Sequence, residues 1–160
     1  MELKILTFPN PRLRIKAKEI KFLDPEIKSN LTKLFDLMYE KDGIGLAATQ
    51  VGIHQRFFVY DLSEEKNSPK IAINPRIIWK SPEKIIYNEG CLSIPGLRLN
   101  VERSKKIKVV WIDENGLEQQ KEVEDLESVL FQHEIDHLDG KLIIDKLPKE
   151  ERKKIIELLY

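Results

Sequence analysis

Apolar residues recur at helical spacing from Ile27 through Leu31, Leu34, Phe35 and Met38, which lays one continuous stripe along a helix face. Asp24 and Pro25 mark its start, as a capping side chain followed by a residue pre-set for the first turn. Gly43 ends it. The period then changes. Phe57–Tyr60, Ile71–Ile73, Ile85–Tyr87 and Ile107–Trp111 are short runs of β-branched, aromatic and other apolar residues, and they read as strands. Asp113-Glu114-Asn115-Gly116 is a hairpin turn, because Asn-Gly tolerates positive φ, and Gln119–Val123 is the returning strand. A second long helix starts near Asp125. It carries Leu126, Val129, Leu130, His133 and His137 on one side and Phe131, Ile135 and Leu138 on another, with Gly140 at its end. A helix apolar on two faces lies in the middle of a domain. After Pro148, Ile155, Ile156, Leu158 and Leu159 mark a short terminal helix. The pattern predicts an α+β fold in a single domain over residues 1–160, with antiparallel strands around a central buried helix.

Composition narrows the setting. The chain has 160 residues, enough for one domain with a real core. Its 27 basic and 27 acidic residues cancel, so bulk electrostatics predict no direct binding of nucleic acid or membrane surfaces. No apolar run approaches the ~18 residues that span a bilayer, and the start, MELKILTFPNP, lacks the apolar stretch of a signal peptide. One cysteine, Cys91, excludes an internal disulfide and fits a reducing cytoplasm. The chain is expected there as a monomer.

The buried helix also carries chemistry. His133-Glu134-Ile135-Asp136-His137 reads H-E-x-x-H. Histidines four apart lie one turn apart on the same helix face, so both rings can reach one ion. Glu134 projects close to that face and can handle a proton. A divalent metal makes hydroxide from water near neutral pH, which suits hydrolysis of an amide or ester. The bland alternative is a pair of hydrogen-bonded core histidines.

A catalytic tetrahedral site needs a third protein ligand and an open position. Two residues compete for that place. Cys91 follows Gly90 at the predicted end of a strand, although a lone cysteine is commonly a small buried hydrophobe. Glu157 lies twenty residues beyond His137, as in a class of zinc endopeptidases, but in the charge-dense segment KEERKKIIELLY. A third possibility is a structural metal closed by a fourth ligand. The only other histidine, His54, falls in the Gln50–Gln55 connection. Upstream, Gly43-Ile44-Gly45-Leu46-Ala47-Ala48-Thr49-Gln50 has little side-chain bulk and exposes backbone to a ligand or a close neighbour. Gln50 there can offer an amide N–H to a developing oxyanion.

GIGLAATQ, EGCLS and QHEIDH, in this order, resemble the motifs G-x-G-x-A-A-x-Q, E-G-C-x-S and H-E-x-x-H of the peptide deformylase family. The resemblance runs from the first proline-rich stretch to Leu147. It implies a metal held by Cys91, His133 and His137, Glu134 as general acid and base, and an oxyanion held by Gln50 and the backbone N–H of Leu92. It implies Fe(II) as the metal, with Zn(II), Ni(II) or Co(II) able to take the site. The implied reaction removes the formyl group from the N-terminal formylmethionine of a new polypeptide and releases formate. The methionine pocket is expected at Val129 and Leu130, with Ile44 near its mouth and the alkyl stem of Arg98 along its wall. Gly45 and neighbouring backbone are expected to pair with the extended peptide. Two departures stand out. Relatives often carry a glycine and an arginine upstream of Q-H-E, where this chain has Glu124-Asp125-Leu126-Glu127-Ser128. Some relatives contact the ribosome through a basic C-terminal extension, of which KKIIELLY retains only part.

Overall fold

A computed structural model describes residues 2–22 and 24–159. Helix α1 runs Pro25–Glu40. Asp24 caps it, its carboxylate accepting the Ile27 N–H at 2.8 Å. Seven strands follow, β1 Gly45–Ala47, β2 Phe57–Tyr60, β3 Lys70–Lys80, β4 Lys84–Gly90, β5 Arg98–Ser104, β6 Lys106–Ile112 and β7 Glu118–Glu124, then α2 Asp125–Leu138 and α3 Lys149–Leu159. All strand pairs are antiparallel. Five strands form one sheet in the order β1-β2-β3-β6-β7, and β4 pairs with β5 in a separate ribbon.

The large sheet is covered on both faces. Phe57 and Val59 of β2 pack with Ile27, Leu34 and Met38 of α1. Phe58 and Tyr60 point the other way, onto Leu130, Phe131, Ile135 and Leu138 of α2. This is the two-residue alternation of a strand, with both faces dry. Phe131 is fully buried and meets Phe58, Tyr60 and Trp111 with ring centroids 5.1, 5.3 and 5.3 Å apart. Full burial of one such side chain is worth about 1.5–3 kcal/mol. The predicted α+β class and the central buried helix agree with this arrangement.

Chain reversal into α2 is abrupt. Asp125 directly follows β7 and takes φ 54°, a left-handed conformation that glycine adopts freely and aspartate tolerates. This is the entry where the sequence departs from the family pattern. Asp125 N–H donates to Lys105 O at 3.0 Å, which ties the corner to the start of β6. The acidic residues Asp125 and Glu127 complement the positive end of the helix. At the other end, Gly140 has φ 76° and an added Cβ would lie 2.4 Å from Arg14 O. Among the described residues, no helix is long and apolar enough to cross a membrane.

Candidate metal centre

α2 brings His133 and His137 to the point where β4 ends. Gly90 closes that strand, and Cys91 follows it toward the helix. Cys91 Sγ lies 3.2 Å from His137 Nε2, and His137 Nε2 lies 3.2 Å from His133 Nε2. Three potential ligand atoms of these residues lie within 4.8 Å of one another. Around a tetrahedral ion, ordinary bond lengths set nitrogen–nitrogen edges at about 3.3 Å and sulfur–nitrogen edges at about 3.6 Å. The trio is therefore spaced for one small divalent ion. Glu157 lies on α3 beside Lys154 and Leu158, outside the cleft that Cys91 and His133 line. His54 is likewise outside it.

The tautomer of His133 follows from its partner. Glu89 Oε1 lies 2.8 Å from His133 Nδ1, so Nδ1 keeps a proton and Nε2, facing the trio, is the nitrogen that can ligate. Glu89 in turn accepts from Arg103 Nε at 2.8 Å and Nη2 at 2.9 Å, and Arg103 Nη1 donates to Asp136 at 2.6 Å. Burial pushes the Glu89 carboxyl up, but Arg103 and His133 outweigh it and hold it at about 2. Glu89 and Arg103 are 5% and 4% exposed. Removing one partner of such a buried pair typically costs about 3–5 kcal/mol. The network joins β4, β5 and α2, and so sets the distance between Cys91 and the histidines.

The neighbouring groups favour positive charge at this point. Burial opposes charge on His133, yet Cys91 Sγ, Glu89 and Glu134 together push it up to about 10. A bound metal ion replaces such a proton. Burial drives His137 well below its usual range, aided by the charges of His133 and Arg103. A neutral imidazole is the ligating form. Burial also raises Glu134 to about 7, with His133 opposing and Glu89 assisting. Glu134 Oε2 is buried with no hydrogen-bond partner. A carboxyl poised near neutrality with one unpaired oxygen can take a proton and return it.

Gln50 sits in the short turn Ala48–Val51 that follows β1. Its Oε1 accepts from Ala47 N–H at 3.0 Å, while Nε2 donates to Ser93 Oγ at 3.1 Å and lies 3.7 Å from Cys91 Sγ. The amide is thus locked with its nitrogen toward the trio. An open cleft of about 1370 Å³ reaches this point, and Ile44, Gly45, Gln50, Cys91, Leu92, Arg98, Val129, Leu130, His133 and Glu134 all line it. Arg98 is clamped at its rim by Asn88, with Nε to the side-chain oxygen and Nη2 to the carbonyl, each at 2.8 Å. The structure therefore gathers the residues expected from the motifs around one cleft.

It also adds residues that the sequence reading missed. Leu126 lines the apolar side of the cleft, and Leu37 of α1 lines it too. Glu89, Arg103, Asp136 and Ser93 orient the groups that face it. Glu89 and Ser93 lie within the E-G-C-x-S motif, which was the available signal for both. Arg103 had none, being one charged residue in a polar segment.

The family model described as polypeptide deformylase matches residues 2–153. A peptide deformylase of Stenotrophomonas maltophilia is 48% identical over 156 residues, covering 96% of this chain and 91% of the relative. A crystal structure of the peptide deformylase from Thermotoga maritima has a TM-score of 0.86 at 42% identity, covering 92% of this chain and 99% of that one. The peptide deformylase of Ehrlichia chaffeensis, solved in complex with actinonin, has a TM-score of 0.91 at 36% identity, covering 99% and 95%. Sequence and fold match these relatives along nearly the whole chain, which belongs to the polypeptide deformylase family.

Proposed function

We propose that the chain removes the formyl group from the N-terminal formylmethionine of newly made polypeptides and releases formate. Cys91, His133 and His137 hold one divalent ion, with Fe(II) as the metal used in the cell and Zn(II), Ni(II) or Co(II) able to substitute. When bound, the ion supplies a strong nucleophile from water near pH 7 and polarises the formyl carbonyl. Glu134 takes the proton and delivers it to the leaving amine nitrogen. The Gln50 Nε2 and the Leu92 N–H donate to the oxygen on which negative charge develops. The observation that carries this reading is the trio itself, with Glu134 beside it, its Oε2 free of any hydrogen bond, along an open cleft.

Substrate choice follows from what borders the trio. Val129 and Leu130, with Ile44 at the mouth and the stem of Arg98 alongside, suit a long unbranched side chain such as methionine. Gly45 pairs through its backbone with the extended peptide. A formyl carbon bears only hydrogen, so it fits between Gln50 and the trio more readily than an acetyl group does. The activity belongs to one domain over residues 1–160, acting as a cytoplasmic monomer. The lone cysteine supports that compartment. Contact with the ribosome through the short C-terminal helix is weak.

The test compares formyl-Met-Ala-Ser, acetyl-Met-Ala-Ser and formyl-Gly-Ala-Ser as substrates of the metal-loaded protein. The formyl-methionyl peptide should have much the highest kcat/KM, and comparable values for all three would contradict the reading. In parallel, Cys91→Ala should lose the metal and Glu157→Ala should keep it.

A further inference from the structure

α1 and β2 end side by side, and a buried carboxylate joins them. The Tyr39 hydroxyl donates to Asp61 Oδ2 at 2.6 Å. Asp61 is 4% exposed and forms no ion pair among the described residues. Its remaining acceptor sites take the Ser63 N–H at 2.8 Å, the Ser63 hydroxyl and the Ser68 N–H at 3.1 Å. A buried charge satisfied only by neutral donors is costly to assemble, and this one sits next to the strand that borders the cleft. Asp61 N–H donates to Ile44 O at 2.9 Å.

That one bond sets the direction of the neighbouring backbone. Bonded and non-bonded residue pairs alternate along an antiparallel ladder. Ile44 and Asp61 are a bonded pair, so the next pair, Gly45 opposite Tyr60, is non-bonded. The N–H and C=O of Gly45 therefore point away from β2. β1 is the outermost strand of its sheet, and Gly43, Ile44 and Gly45 line the cleft. The ladder holds only three residue pairs, Gly45 to Ala47. The Asp61–Ile44 bond is the first tie to β2 after the chain arrives from α1.

We propose that Tyr39 and Asp61 are positioning residues for peptide binding, acting through the Ile44 carbonyl to hold the Gly45 edge in register for the substrate backbone beyond the formylmethionine. This rests on the reading of β1 as the edge that pairs with the peptide. Tyr39 is absent from the cleft lining, so its influence runs through Asp61. At neutral pH the pair is a phenol donating to a full negative charge. Burial and then Asp61 raise Tyr39 to about 12. Burial pushes Asp61 up, but its hydrogen bonds outweigh it and hold it at about 2. Such charge-assisted bonds are short and directional.

The experiment measures kcat and KM of the metal-loaded wild type and Tyr39→Phe with formyl-Met-Ala-Ser and with formyl-methioninamide, which lacks downstream backbone. Tyr39→Phe should raise KM for the tripeptide about tenfold, the scale of one such bond, with kcat and metal content nearly unchanged. Its kinetics with formyl-methioninamide should match the wild type. Asp61→Asn should show the same split more strongly, and Tyr39→Phe decides the matter if Asp61→Asn does not fold. Equal losses on both substrates, or none on either, would overturn the proposal and leave the pair with a structural role. A wild type that prefers neither substrate would instead overturn the strand-pairing reading, and with it the proposal. No formate from either would overturn the deformylase reading.

Discussion

Glu89 Oε1 lies 2.8 Å from Nδ1 of His133, so a carboxylate on β4 fixes which nitrogen of the ring α2 presents to Cys91 and His137. Replacing it with glutamine keeps the shape but removes the charge that orients the ring and raises its basicity. Glu89→Gln should weaken Ni(II) or Zn(II) binding about 10–100-fold, measured by competition with a chelator. Unchanged affinity would mean that the contact does not support the ligand.

Gly45 packs against the Glu134 side chain. A Cβ built on it would lie 3.1 Å from Oε2, 3.2 Å from Cδ and 3.3 Å from Cγ of Glu134. The helix behind Glu134 is buried and yields little. Gly45→Ala should therefore displace the carboxyl by a few tenths of an ångström and lower kcat about tenfold or more. Metal content and thermal midpoint should stay near wild type. A variant with full turnover would show that Glu134 tolerates displacement.

The Asp61 carboxyl is held at about 2, below its ordinary 3.8. A folded-state pKa below the unfolded one stabilises the fold above the unfolded value, and that stability is lost as pH falls through the folded value. The shift amounts to about 2 kcal/mol at pH 7, draining away between about pH 4 and pH 2. Urea unfolding should find Asp61→Asn less stable than wild type by about that amount at pH 7, with the gap about halved at pH 3. A gap independent of pH would contradict this assignment.

Fe(II) stands low in the affinity order and is redox-active beside a cysteine thiolate that oxidises readily. The Fe(II)-loaded protein should lose activity in air while the Ni(II)-loaded protein keeps it. Activity followed after oxygen exposure checks this, and equal decay of both forms would argue against Fe(II) and Cys91 as the labile pair.

Much of the fold was legible because its signals are local. Asp24-Pro25 starts a helix by chemistry that acts within one turn, and Asn115-Gly116 sets a hairpin in the same way. β5 was not legible. Its inward positions are Leu99, Val101 and Arg103, and a charged residue on the buried side breaks the apolar alternation. Only the pairing of β4 with β5 brings Glu89 to neutralise it, which no single position reveals. β3 runs on through Pro75, beyond the expected Ile71–Ile73, because the register shifts between Ile73 and Arg76 and a bulge accommodates a missing donor. At the site, two histidines at helical spacing imply each other. The third ligand depends on how closely β4 approaches α2, so spacing alone left Cys91 and Glu157 in competition until the family motifs were considered.

The central claim is that Glu134 moves the proton while Cys91, His133 and His137 hold the metal. The most direct test is formate release from formyl-Met-Ala-Ser by Glu134→Ala carrying the same metal content as wild type. The account expects the metal to stay bound and the rate to fall by about 10²–10⁴-fold, the usual contribution of a general acid and base. A metal-loaded Glu134→Ala that releases formate at near wild-type rate would contradict it.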